Sequence, residues 1–523
     1  MEQTRLQRII REITDISMSE LRGIVLVILG LIVLGFYYSW WFMEGRLTSG
    51  WFILGFVAAL FYSVMQILAG WLVYLWTHHR PVISCEAPPD LTVDVFVTAC
   101  GEEYALVERS LAATCAMHGN HQTWLLDDGH DPALARLAER LGAGYLTRPD
   151  HQDAKAGNVN AALARTGGDV IVILDIDHVP EADFLQRTLG CFTDPTVGFV
   201  QVMPTFSNDR QGWVARAATE TSLDFYNPTS KGMDGFRSVT KMGSNALIRR
   251  TALEAIGGYQ TGLAEDLATS IAMHAAGWRS RYVDEPLAPG LAPPDLAAWF
   301  TQQFKWARGV FEILLTTYPR LFGLLGWGQR LSYAVRTTKY LIGPVIFIHL
   351  AIAIAVMFSD SNAARATLQQ YFIYLTPLAL VDMVIRYLAL RKWRHPSIDT
   401  SSLWRAVVLV YVTWPIYTLA WIMAVLHLPL SFRPTPKSSE GRVSLWWVFP
   451  QLATVLLLWG GIVHSITTTG EYRSYWILYG IVACLAISQV GLVRPLLRSL
   501  LNYRTQKVLN PGLVYPSTGT EER

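Results

Sequence analysis

Two kinds of apolar run divide the chain, and they predict two kinds of element. The long ones come at both ends. Gly23–Phe42 and Trp51–Trp76 are each long enough to cross ~30 Å of hydrocarbon, and the short link MEGRLTSG between them makes a helical hairpin. Further runs at Leu341–Phe358, Tyr371–Leu390, Leu445–His464 and Tyr475–Val493 bring the expected spans to six. Leu403–Leu426 is read as an interfacial helix, because Trp404, Arg405, Tyr411, Trp414, Pro415, Tyr417 and Trp421 suit the headgroup level. Counting it as a span, which hydropathy alone accepts, would put Phe432–Lys437 and the polar central region on opposite sides.

Between His78 and about Pro319 the runs shorten and change character. VDVFVTA at Val93–Ala99, TWLLDDG at Thr123–Gly129 and VIVILDIDH at Val170–His178 alternate with helical stretches such as Leu134–Leu141. A five-residue apolar run is too short for a helix and reads as a strand covered on both faces, so the pattern predicts βαβ units in a Rossmann-like α/β domain. Ala297–Leu325, with Arg308 and Arg320 among aromatics, reads as amphipathic helices docking this domain on the bilayer. The expected segments are 1–77 (N-terminus and two spans), 78–298 (α/β domain), 299–330 (interfacial helices) and 331–523 (remaining membrane region and short tail).

Composition supports a membrane protein. The 523 residues are 51% hydrophobic, with a mean hydropathy of +0.27. A net charge of +2 on 43 basic and 41 acidic residues suggests no nucleic-acid partner. Basic residues cluster where a cytosolic side is expected: Arg5, Arg8, Arg11 and Arg22, then Arg391, Lys392 and Arg394, then Arg494, Arg498, Arg504 and Lys507. No cleavable signal stands out, so the first span is expected to stay as an anchor. Cys85, Cys100, Cys115, Cys191 and Cys484 show no zinc or CxxC spacing and are expected as reduced thiols.

The chemistry gathers at predicted strand ends. Asp175 and Asp177 end the VIVILDIDH strand, at the edge where open α/β sheets bind ligands, and two carboxylates there suit a divalent cation holding a diphosphate. Taken alone, the same acids also fit a surface loop. Thr98 and Glu102 follow the first strand, and Asp128 follows the second; each fits a nucleobase or ribose contact, or a plain turn. Lys155-Ala-Gly-Asn158 places a cation beside a helix start, a diphosphate cradle. Glu265-Asp266 fits either catalysis or an acid pair at a helix N-terminus. Asp382 and Arg386, four apart inside a predicted span, fit a channel lining or an ion pair snorkelling to the cytosolic end.

In order and spacing these motifs resemble the membrane-embedded, processive family-2 glycosyltransferases of the cellulose synthase-like group. The match runs from Val93 to Lys437 through Asp127-Asp-Gly, Lys155-Ala-Gly-Asn, Asp175-Ile-Asp177-His178, Gln201-Val-Met-Pro204, Gly243-Ser-Asn245, Glu265-Asp266, Gln302-Gln-Phe-Lys-Trp306 and Phe432-Arg-Pro-Thr-Pro-Lys437. The resemblance implies an α/β GT-A catalytic domain, cytosolic, inserted in an α-helical transmembrane bundle of the bacterial inner membrane. It implies an inverting transfer from a UDP-sugar, expected as UDP-glucose, to a growing polysaccharide that leaves through the protein's own helices, with a periplasmic or outer-membrane export partner possible.

Residue by residue, Asp266 matches the general base, and Asp177 with His178 the site of Mg2+ or Mn2+. Thr98, Glu102, Asp128, Lys155, Asp175 and Glu265 match donor-side positions. Gln302, Lys305 and Trp306 match the motif beneath the nucleotide sugar, with the indole under the acceptor, and Thr435 and Lys437, in a gating-like loop at 431–442, match groups that close over the nucleotide. Three departures stand out: Ala264 where threonine is usual, Lys305 where arginine is usual, and Thr240-Lys-Met before Gly243 where aromatic and cysteine residues are common. They leave linkage and acceptor open. Arg494 and Arg498 have the spacing of a cyclic-di-GMP switch, but the short tail to Arg523 leads us to expect no PilZ barrel. A non-processive transferase acting on a lipid carrier or single sugar, and a channel subunit with a vestigial nucleotide domain, are the alternatives.

Overall fold

The computed structural model describes residues 18–43, 45–47, 52–77, 80, 86–88, 90–359, 365–393, 395, 403–430, 445–468 and 474–487. Thr435, Lys437 and the rest of the gating-like loop lie outside these residues, as do Arg494 and Arg498.

The central domain is built on one sheet. Its seven strands are β1 (Val93–Ala99), β2 (Gln122–Asp127), β3 (Gly144–Leu146), β4 (Val170–Asp175), β5 (Val197–Val202), β6 (Ala246–Arg249) and β7 (Arg279–Val283), in the order β3-β2-β1-β4-β6-β5-β7. Pairings are parallel except those of β6. Val170 through Leu174 are fully buried, because both faces of β4 are covered. Side chains pointing alternately to the two faces of β4 separate two cores, Val170, Val172 and Leu174 packing with Phe184 and Val200, and Ile171 and Ile173 with Val159 and Phe199. The register sets Thr98 beside Asp175 and Ala99 beside Asp127, so the polar residues expected at strand ends do share one edge.

Among the described residues five helices are long and apolar enough to cross a membrane: Glu20–Trp41, Ile53–Trp76, Trp327–Phe358, Leu368–Lys392 and Trp446–Thr467. The helix Ser474–Ala486 is shorter within the described residues. The stretch read as interfacial is a pair of helices, Trp404–Val412 and Trp414–Val425, bent by 46°. Pro415 follows the bend and lacks the N–H that would continue the first helix. Trp414, Ile416, Tyr417, Ala420 and Ala424 of the second helix are buried, and Tyr417 joins a core with Leu267, Phe311 and Tyr340.

The helix Leu296–Glu312 is clasped between helices of the α/β domain and the bent pair. Trp299 and Phe300 pack with Leu409 and Val412, and Trp299 Nε1 donates to Thr413 Oγ1 (2.9 Å). This seam fixes the α/β domain to the apolar helices.

Asp382 and Arg386 do form a pair, Arg386 Nε donating to Asp382 Oδ2 (2.8 Å), with Trp71 Nε1 on Asp382 Oδ1 (2.9 Å). Arg386 also meets the Tyr74 hydroxyl, which donates to Asp224 (2.5 Å). Neither charge lines the large cavity described below. The pair ties two apolar helices to the end of the α/β-domain helix Trp213–Asp224, which explains how a costly pair is kept. Among the described residues Cys100, Cys115, Cys191 and Cys484 form no disulfide.

Candidate active site

One cavity of about 590 Å³ runs along the carboxyl edge of β1 and β4 and under the helix Leu296–Glu312. It is lined by Thr98, Glu102, Asp128, Lys155, Asp175, Asp177, His178, Glu265, Asp266, Gln302, Lys305 and Trp306. Every candidate that falls in the described residues is therefore brought together.

At the strand edge the charges are matched inside the chain. Arg148 donates from Nε and Nη2 to the two oxygens of Asp128, 2.8 Å each, and both side chains are buried. Asp128 was expected to face a base or ribose; its carboxylate is first of all half of this ion pair. Arg148 was not read from the sequence, since a lone arginine in a predicted loop carries no pattern. Asp127 is structural: it accepts from Gly129 N, Asp131 N and the Tyr145 hydroxyl. Glu102 accepts from Cys100 N (2.6 Å) and fixes its own turn.

Lys155, in the first turn of the helix Ala154–Leu163, donates to Asp175 Oδ1 (2.5 Å). Burial opposes its charge, but Asp175, Asp266 and Glu265 together raise its pKa. Burial likewise opposes the charge of Asp175, and Lys155 and His178 hold its pKa below the ordinary value.

The ligand atoms of Asp175, Asp177 and His178 lie within 4.8 Å of one another. His178 Nδ1 is buried, makes no hydrogen bond and stands 3.5 Å from Asp177 Oδ1. Gly290 backs the ring, and a Cβ there would come 2.6 Å from Nε2. Two carboxylates and an imidazole converging in this way fit a divalent cation of the Mg2+ or Mn2+ kind.

Asp266 sits in the first turn of the helix Glu265–Ala275. Its Oδ1 accepts from Lys241 Nζ and from the Tyr259 hydroxyl. Lys241 also donates to Gly243 O (2.7 Å) and to the Tyr259 hydroxyl (2.5 Å), and its side chain is 1% exposed. Oδ2 points toward Gly243, whose positive φ of 87° admits glycine without strain and where a Cβ would lie 3.4 Å away. Burial opposes ionisation of Asp266, but Lys241 and Lys155 more than offset it and hold the carboxyl below its usual range. Glu265 moves the other way, raised by burial and by the neighbouring Asp266 charge. Lys241 is the middle residue of Thr240-Lys-Met, marked in the sequence as a departure with no role attached. Gln303, beside Gln302, accepts from the Tyr417 hydroxyl (2.8 Å), which anchors the helix carrying Gln302, Lys305 and Trp306.

Residues 88–309 match the family described as "Glycosyltransferase like family 2", and residues 254–427 match "Cellulose synthase". The chain belongs to the cellulose synthase-like family-2 glycosyltransferases. Its catalytic domain has the GT-A fold. It is 31% identical over 465 residues to Cellulose synthase 1 of Komagataeibacter xylinus, covering 84% of this chain and 29% of the relative. It is 30% identical over 424 residues to the UDP-forming cellulose synthase catalytic subunit of Pseudomonas fluorescens (strain SBW25), covering 77% of this chain and 56% of that protein. The chain thus spans between about a third and about half of the length of these relatives. A mannosyltransferase from Pyrobaculum calidifontis, solved with GDP-Man and Mn2+, is 16% identical with a TM-score of 0.48, covering 72% of this chain and all of that one.

Proposed function

We propose that this cellulose synthase-like chain transfers a hexose from a UDP-sugar, UDP-glucose in the first instance, to the end of a growing β-glycan. The carrying observation is the single cavity that joins Lys155, Asp175 and Asp177 at the strand edge to Asp266 and Trp306 under the helix Leu296–Glu312. The UDP-forming relative supports UDP as the leaving group.

In the proposed step the acceptor hydroxyl gives its proton to Asp266 Oδ2 as its oxygen attacks the anomeric carbon. The bond from that carbon to the diphosphate breaks with its electron pair, UDP departs, and the configuration inverts. Base assistance of this kind contributes ~10²–10⁴-fold. Lys241 and Tyr259 occupy Oδ1, which leaves Oδ2 for the acceptor. Lys155 and Lys305 face the departing diphosphate. Asp177 and His178, with Asp175 beside them, would hold a Mg2+ or Mn2+ ion, which would neutralise the leaving group's charge. Trp306 offers an indole face to the apolar face of the acceptor ring. Processive extension and passage of the product through the apolar helices of a bacterial inner membrane, with the catalytic domain cytosolic, complete the reading.

The test is incubation of detergent-purified full-length protein with Mg2+ or Mn2+ and a panel of UDP-sugars, reading UDP release and product length, with Asp266→Asn as control. Long polymer from one donor, lost in the variant, is expected. Short products alone would favour a single-transfer enzyme, and no UDP release with any donor or metal would count against a transferase.

A further inference from the structure

The cavity does not end at the candidate base. It runs on to Arg336, on the helix Trp327–Thr338, to Lys339 in the turn that follows, and to Phe225 and Tyr226 of the facing catalytic-domain segment. Both cations sit over one ring: Arg336 lies 4.9 Å and Lys339 5.2 Å from the centroid of Phe225. Arg336 Nε is buried and makes no hydrogen bond. Among the described residues neither cation is in an ion pair. Asp224, the acid that acts on Lys339, accepts from the Tyr74 hydroxyl and faces Arg386 at 3.9 Å.

Two like charges gathered around one ring repel each other, and charges withdrawn from water are costly unless matched. The ring face offsets part of that cost. An anion between the two side chains offsets the rest, and it has to arrive through the same cavity that holds Asp266 and Trp306.

We propose that this end of the cavity is an acceptor subsite for an acidic sugar. The carboxylate of the chain being extended is held by Arg336 and Lys339, while its rings lie against Phe225, Tyr226 and Trp306. A neutral glucan offers the two cations hydroxyl oxygens but no charge to match theirs. A lipid phosphate shares the anionic chemistry, but the cations face a cavity lined by aromatic rings of the kind that pack on pyranose faces, which favours the glycan. The inference rests on the transferase reading for which end accepts, and it refines the product of that reading.

A binding measurement separates the two. Full-length protein in detergent is titrated with β-linked oligosaccharides of glucose and of glucuronic acid, matched in length and linkage, at low and high salt. The acidic members are expected to bind about tenfold tighter than their neutral partners, the difference shrinking with salt. An Arg336→Gln, Lys339→Gln double variant is expected to erase the preference, while the charge-keeping Arg336→Lys, Lys339→Arg variant retains it. UDP affinity, read on the same samples, reports that each variant is folded. Equal binding of acidic and neutral members in the wild type, or a preference that survives the glutamine variant, overturns the proposal. So does a short-chain polyprenyl phosphate that binds through Arg336 and Lys339 when the acidic sugars show no preference. If acidic sugars bind through the pair but no UDP is ever released, the transferase reading fails and the subsite stands.

Discussion

The two ends of the cavity handle charge differently. At the donor end, where parallel strands supply the frame, acids and cations are matched within the chain: Asp128 with Arg148, Asp175 with Lys155. At the proposed acceptor end, framed by the helices Leu296–Glu312 and Trp327–Thr338, Asp266 is tied to Lys241, while Arg336 and Lys339 share the face of Phe225, Arg336 meets Tyr340, and neither has a carboxylate partner among the described residues. A sheet edge fixes its side chains by register, so pairs can be built in before any ligand arrives. A helix seam sets its side chains by packing, and leaves charge for the substrate to match.

The comparison can be broken most severely at the acceptor end. Asp266→Asn removes the proposed base but keeps the shape, and is expected to lower UDP release by ~10²–10⁴-fold with UDP affinity little changed. Equal loss of UDP binding would move Asp266 to the donor half.

Next comes the donor-end pair. Arg148→Met leaves Asp128 buried without its partner, and strips donors from Gln152 O and Ala154 O as well. A loss of ~3–5 kcal/mol in unfolding free energy is expected, read as a lower unfolding midpoint in detergent. An unchanged midpoint would mean that the pair is not a structural feature of the donor half.

Asp177→Asn is expected to raise the metal concentration needed for half-maximal UDP release by at least ~10–100-fold, and chelation of the wild type to abolish release reversibly. Metal-independent release would remove the cation from the donor end.

The smallest effect sharpens the comparison. Asp266 is held below its usual range by Lys241 and Lys155, with Glu265, Lys305, Asp175 and the Tyr259 hydroxyl the other titratable groups that face it. A base with a depressed pKa stays ionised as pH falls, and is lost only when pH drops through that depressed value. Lys241→Met removes one source of the depression, so the acidic limb of kcat/KM is expected to move up by about 1–3 pH units, and Lys241→Arg to restore it. A limb that stays in place in the methionine variant would show that Lys241 only fills space.

The donor half was the more legible in the sequence. A continuous apolar run followed by Asp175 and Asp177 can only be a covered strand with acids at its tip if it is a strand at all; β1 coincides with its expected run, and β2 and β4 begin within one residue of theirs. Arg148 and Lys241 were not assigned roles because ion pairing depends on contact across 20 and 25 residues of chain, which no local pattern records. The bent pair Trp404–Val425 was hardest to place, since an apolar run around a proline suits a span, a broken span and an interfacial helix equally well.

The sequence by itself determined the alternation of strands and helices, the apolar helices, the order of the motifs and the acids at strand ends. All of these follow from local periodicity and spacing. Only the tertiary structure decided which charges neutralise one another, which residues the helix Leu296–Glu312 packs against, and that Arg336 and Lys339 open into the same cavity as Asp266. Those outcomes depend on packing between segments far apart in the chain. Charge pairing and cavity shape are properties of that packing.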